Sequence, residues 1–94
     1  MLFSVRLVSR QPHDMSADAW QSVVGEQLKA TKAQYDQGKI RAIYRETGVG
    51  VLAIYDAADA REMDQLLASL PMSRFFVETT VHPLWDMVSS LQSL

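Results

Sequence analysis

The side chains that could do chemistry fall mainly in two stretches: Glu26 and Gln27 within ADAWQSVVGEQLKATKAQYD, and Arg41, Tyr44 and Arg45 within KIRAIYR. On an alternating strand Arg41 and Arg45 share a face. Together with Arg6 they could grip a carboxylate through planar, charge-assisted hydrogen bonds. The competing use of these arginines is pairing with Glu78 or Glu46 at a subunit contact. Tyr44 and Tyr55 could donate to an enolate oxygen, or be structural strand tyrosines. Glu26, Glu78, His13 and His82 are the other groups able to move a proton, although each histidine also fits a surface or capping position.

Gln27 is the most informative of these residues. At roughly 100° per residue, Trp20, Val24, Leu28, Thr31 and Tyr35 fall in one quadrant of a helix, with Gln27 beside them between Val23 and Thr31. Glu26 points elsewhere, into a strip with Ala19, Ala30 and Ala33. An inward amide needs hydrogen-bond partners or costs about 1–3 kcal/mol. Those partners are either a neighbouring strand or a ligand. Trp20 is a core or interface residue, or part of an aromatic lining around that ligand.

The rest of the composition removes several classes of function. The chain has no cysteine, which excludes disulfides and thiolate catalysis, and two distant histidines without ligand spacing make no metal site. A net charge of −2 without basic clusters leaves no footprint for nucleic acid. No run approaches the roughly 18 apolar residues of a membrane span, and MLFSVRLVSRQP is too polar for a signal peptide. The expectation is one soluble, cytoplasmic domain over residues 1–94.

The elements that must position these residues follow from periodicity. Leu2 to Ser9 alternates, with Phe3, Val5 and Leu7 on one side and Ser4 and Arg6 on the other. Ser16 caps a helix that Gly38 ends. Lys39 to Arg45 forms a second strand, with Ile43 on the side of Arg41 and Arg45, and Ile40, Ala42 and Tyr44 on the other. Val51 to Tyr55, apolar on both faces, is an interior strand. Asp59 and Glu62 make a capping-box-like start for a second helix, which carries Met63, Leu66, Leu67 and Leu70 inward and stops at Pro71. Phe75 to His82 is a fourth strand, and Pro83 to Leu94 a short apolar helix suited to a subunit interface or to closing a pocket.

The order βαββαβ is the ferredoxin-like split βαβ arrangement, an α+β fold with an antiparallel sheet. Two helices cover one face. The other face, assigned Ile43, neighbours of Val51 or Leu52, and Phe75 or Phe76, calls for a second sheet, which gives a dimeric α+β barrel.

MLFSVRL, QPHDMS, IRAIYR, IYDAADAREMDQLLASLP and VHPLW, in this order over Met1 to Trp85, resemble the muconolactone Δ-isomerase family. The resemblance implies small ferredoxin-like subunits assembled from dimers into larger rings. It also implies a proton shift within an unsaturated lactone acid, without metal or organic cofactor. The family pattern places a glutamate eleven residues before the helix-ending glycine; here that position is Gln27, whose amide takes up no proton near neutral pH. Tyr44 stands where tryptophan is usual, and Val49 where a histidine can occur.

The expected site is therefore Gln27, Tyr44 and Glu26 as the reacting or orienting groups, with Arg41, Arg45, Arg6 and Trp20 around an acidic or lactone substrate. The function expected is a cofactor-independent isomerase or cyclase in a homo-oligomer, with no nucleic-acid or membrane partner. The alternative is a non-catalytic oligomeric binding or accessory protein that kept the fold and lost the base.

Overall fold

The computed structural model describes every residue, Met1–Leu94. In chain order the elements are β1 (Leu2–Ser9), α1 (Ala17–Asp36), β2 (Ile40–Glu46), β3 (Gly50–Asp56), α2 (Ala60–Ala68), a 3₁₀ turn (Ser73–Phe75), β4 (Phe76–Leu84) and α3 (Val88–Gln92). This is the expected βαββαβ order, closed into one antiparallel sheet with strand order β2-β3-β1-β4.

Local chemistry accounts for the boundaries. The Ser16 hydroxyl accepts from the Ala19 N–H at 3.1 Å, and an Asp59 carboxylate oxygen accepts from the Glu62 N–H at 2.8 Å, so both long helices begin on a side-chain cap. Gly38 takes φ +79° just beyond α1, a conformation that other residues adopt at a cost. The alternation of β1 buries Phe3, Val5 and Leu7, which lie opposite Tyr55, Ala53 and Val51 of β3. Met63, Leu67 and Leu70 close over them, and this cluster is the core.

The alternation expected for β2 does not hold at its start. Ile40 lies opposite Tyr55, but Ala42 already faces Ile54, so Arg41 is an extra residue at a β-bulge. The bulge puts Ile40, Ile43 and Arg45 together on the helix-covered face and leaves Ala42, Tyr44 and Glu46 on the open one. Ile43 is thus not part of the uncovered face, as strict alternation from Arg41 implied. That face carries Leu52 and Ile54 beside Tyr44, Arg6 and Val8.

The C-terminal stretch also departs from expectation. Its first residues extend β4 through Pro83 to Leu84, and helix forms only over Val88–Gln92. Proline is tolerated there because β4 is an edge strand. Trp85 is 73% exposed, and Met87, Val88 and Leu91 are likewise uncovered within the chain.

Candidate functional site

A cavity of about 430 Å³ lies between α1 and the covered face of the sheet, within the range of small-molecule sites. The helical spacing of Trp20, Val24, Gln27 and Thr31 makes one wall. Ile43, Val51, Ala53 and Tyr55 form the floor, and Leu70, Met72 and Phe76 close the side. Trp20 is steadied edge-on against Phe75, with ring centroids 5.4 Å apart.

Few polar groups interrupt this lining, and their hydrogen bonds define what each can offer. The Gln27 Oε1 accepts from the Met72 backbone N–H at 3.0 Å, and its Nε2 lies 3.4 Å from the Thr31 Oγ1. The Thr31 hydroxyl donates to the Gln27 carbonyl at 2.8 Å. The partner of Gln27 is therefore the loop after α2 rather than a strand. Because Met72 supplies an N–H, the amide must turn its oxygen to the loop and its NH₂ the other way. One N–H is engaged with Thr31, and the second is a donor without a protein partner.

Tyr55 also lines the cavity, but its hydroxyl is committed: it donates to the Gln34 Oε1 at 2.6 Å. Gln34 in turn donates to the Leu66 carbonyl at 2.9 Å and sits 3.4 Å from the Ser69 hydroxyl, which ties α1, β3 and α2 together. Burial pushes the Tyr55 hydroxyl up to about 12, so it holds its proton and serves as a structural donor. Tyr55→Phe should leave the buried Gln34 oxygen unpaired at a cost of about 1–3 kcal/mol. Thermal unfolding followed by circular dichroism should then show a Tm lower by roughly 5–20 °C.

Arg45 is the one charged residue of the lining, and it makes no ion pair or side-chain hydrogen bond. The other arginines expected at the site stand elsewhere. Arg6 forms a two-pronged pair with Glu46, at 2.7 and 3.1 Å, on the open face of the sheet. That pairing raises the Arg6 guanidinium above its usual range, chiefly through the hydrogen bond to Glu46. The Arg41 guanidinium donates to Asp56 at 2.7 and 3.2 Å at the end of the sheet. Those bonds, with a further one from the chain's amino terminus, hold the Asp56 carboxyl below the usual range.

Of the residues expected to react, only Gln27 lines the cavity. Tyr44 is 64% exposed on the open face opposite Leu52. Glu26 faces solvent and pairs with Lys29 at 3.3 Å. Glu78 and His82 stand on the open face, opposite Val8 and Ser4, and His13 lies in a separate cleft. The structure thus brings together Gln27, Arg45 and Trp20, and leaves Tyr44, Glu26, Arg41 and Arg6 outside. Thr31 and Gln34 belong to the same polar stripe, and their spacing from Gln27, one and two helical turns, is the sequence signal that marks them.

No helix is long and apolar enough to cross a membrane, and no cluster of three or more His, Cys, Asp or Glu is placed to hold a metal ion. Residues 1–90 match the family model described as muconolactone delta-isomerase. No curated protein sequence matches the chain. Among solved structures, the crystal structure of muconolactone isomerase superposes with a TM-score of 0.83 at 20% identity, covering 92% of this chain and 90% of that one. The 5-chloro-2-hydroxyhydroquinone dehydrochlorinase of Burkholderia phenoliruptrix AC1100, in complex with 2,5-dihydroxybenzoquinone, superposes with a TM-score of 0.66 at 17% identity, covering 92% and 94%. At these identities the likeness is one of fold.

Proposed function

The chain belongs to the muconolactone delta-isomerase family, and from that premise we propose that its cavity binds a small unsaturated lactone or organic acid and shifts a double bond within it. The observation that carries this reading is Arg45, an unpaired cation in an otherwise uncharged, largely apolar cavity. Arg45 is exposed, and its planar guanidinium suits a carboxylate through a two-pronged, charge-assisted hydrogen bond. A ligand built on an oxygenated six-membered ring, as in the dehydrochlorinase complex, is of the size such a cavity takes.

In this reading Arg45 anchors the acid, and Trp20 packs on the unsaturated body of the substrate. The free N–H of Gln27 points at its carbonyl oxygen. A C–H proton beside the double bond leaves to water. The electron pair left behind delocalises onto the carbonyl oxygen, where the Gln27 amide stabilises the negative charge. Water then returns a proton to the far carbon, so the double bond has moved and nothing else has changed. Orientation and charge stabilisation supply the acceleration, since no carboxylate or imidazole lines the cavity.

That same lack of a base favours the second reading, a binding or accessory protein that holds such an acid without converting it. Muconolactone in heavy water, followed by NMR, separates them: double-bond migration with deuterium uptake supports catalysis, and saturable binding without either supports the accessory role. Under both, Arg45→Gln should weaken binding of the acid by about 10- to 100-fold, the worth of a hydrogen bond to a charged group. Titration calorimetry checks it, and unchanged affinity would remove Arg45 from the site.

We place the assembled protein as a homo-oligomer within one domain over residues 1–94. Support comes from the apolar residues left on the open sheet face and from the uncovered stretch Leu84–Leu94, which would lie at the subunit interface.

A further inference from the structure

Nine lysines and arginines are distributed over the chain, and five of them (Arg6, Lys29, Lys32, Lys39 and Arg41) are held in ion pairs. Arg10, Arg45, Arg61 and Arg74 are not. Three of these four stand at one end of the sheet. Arg45 is next to last in β2, Arg10 follows the last residue of β1, and Arg74 belongs to the turn that leads into β4.

Arg10 and Arg74 line a second cleft with Gln11, Pro12, His13, Phe75 and Val77. It contains no carboxylate. The cleft is built, not a chance meeting of loops. The Arg10 N–H donates to the Phe75 carbonyl at 3.0 Å, and the Gln11 amide donates to the Met15 carbonyl at 3.1 Å, fixing the loop against the 3₁₀ turn. The Arg74 guanidinium stacks on the Phe75 ring, 4.8 Å from its centroid. Stacking occupies the face of the guanidinium and leaves its N–H edge free for an oxyanion.

Gln11 belongs to the walls of both the cleft and the cavity, so the two adjoin. Arg45 and the Arg10–Arg74 pair lie toward opposite edges of the sheet, β2 and β4. Arg10 continues β1 and Arg74 leads into β4, so two to three strand spacings, about 10–14 Å, separate them from Arg45 on β2. That separation is too wide for one small carboxylate to meet both. It fits a longer molecule with an acid at each end and an apolar middle.

We propose that the cleft of Arg10, His13 and Arg74 is an anion subsite that takes the second carboxylate of an elongated dicarboxylic acid whose first carboxylate sits at Arg45. The proposal rests on the acid-binding reading of the main cavity and adds to it a preference for substrate length and for a second charge.

Titration calorimetry with adipate, suberate and sebacate against hexanoate, octanoate and decanoate tests it. One of the longer diacids should bind about tenfold more tightly than the monoacid of equal length, one charge-assisted contact being worth about that much. The double variant Arg10→Gln/Arg74→Gln should erase this advantage and leave the monoacids unaffected, whereas Arg45→Gln should weaken both series. Equal affinity for diacid and monoacid, with Arg45→Gln still weakening both, would overturn the subsite and leave the main reading standing. Absence of binding by every acid would overturn both. Arg10 and Arg74 are exposed, so the double variant should keep the parent Tm.

Discussion

Gln27→Glu should raise the rate of C–H exchange and double-bond migration in muconolactone by about 10²- to 10⁴-fold, the usual contribution of a positioned general base. The geometry prepares the carboxylate to act. One of its oxygens would keep the Met72 N–H that the Gln27 Oε1 now accepts at 3.0 Å. The other would replace the Nε2, which lies 3.4 Å from a Thr31 hydroxyl that has already given its hydrogen to the Gln27 carbonyl. That second oxygen gains no donor from the protein and remains available to take a proton. Because the loop contact survives, the variant should keep its Tm within a few degrees. NMR in heavy water reads the rate and circular dichroism the fold. A folded variant with no gain would show that Gln27 does not face the reacting carbon.

Gly50→Ala should be among the most damaging single substitutions in the chain. A Cβ at Gly50 would overlap the Leu7 carbonyl oxygen and lie 3.2 and 3.3 Å from the Leu7 C and Val8 Cα, all backbone atoms of the central strand. No side-chain rotation relieves such a contact, so β1 or β3 must shift. The cost should be about 3 kcal/mol, at the upper end of ordinary overpacking, and Tm should fall by roughly 10–20 °C. Gly50 also lines the cavity, and acid binding should weaken with it. Gly25→Ala gives the contrasting result. Nothing lies within 4 Å of a Cβ there, in the middle of α1, and the substitution should stabilise by about 0.5–1 kcal/mol. A Gly50→Ala protein as stable as its parent would mean that the two strands do not approach so closely.

Much of the fold is legible in the sequence because its signals are local. Alternation in β1, the caps at Ser16 and Asp59, and the apolar spacing of Met63 and Leu67 each act within a few residues. The site is less legible because it depends on a break in regularity. Arg41 and Arg45 share a face only if β2 alternates throughout, and the bulge at Arg41 moves that residue to Asp56 while keeping Arg45 at the cavity. A bulge leaves no fixed residue signature, since what sets it is the register against β3. Gln34 was hidden for another reason. It is 6% exposed yet polar, and periodicity weighs it against burial. Its two-turn spacing from Gln27 hints at an inward position, but the partner that satisfies it there, Tyr55, lies 21 residues away. Tyr35 and Leu28, read from the same helical stripe as Trp20, are mostly exposed, at 56% and 64%.

The strand order β2-β3-β1-β4 has a consequence for how the chain is made. β1 is synthesised before every other strand, yet it is an interior strand that needs partners on both sides. One flank is met by β3, complete at Asp56, but the other waits for β4, whose first residue is Phe76 and last is Leu84. Translation at about 5–20 residues per second leaves an interval of roughly 1 to 6 seconds between the two. During it, one edge of β1 offers unpaired N–H and C=O groups to any neighbouring nascent chain. Polysomes carrying many copies of this message bring together chains at that same stage. The pace of elongation through α2 thus governs how long each unfinished subunit is open to mispairing with its sisters.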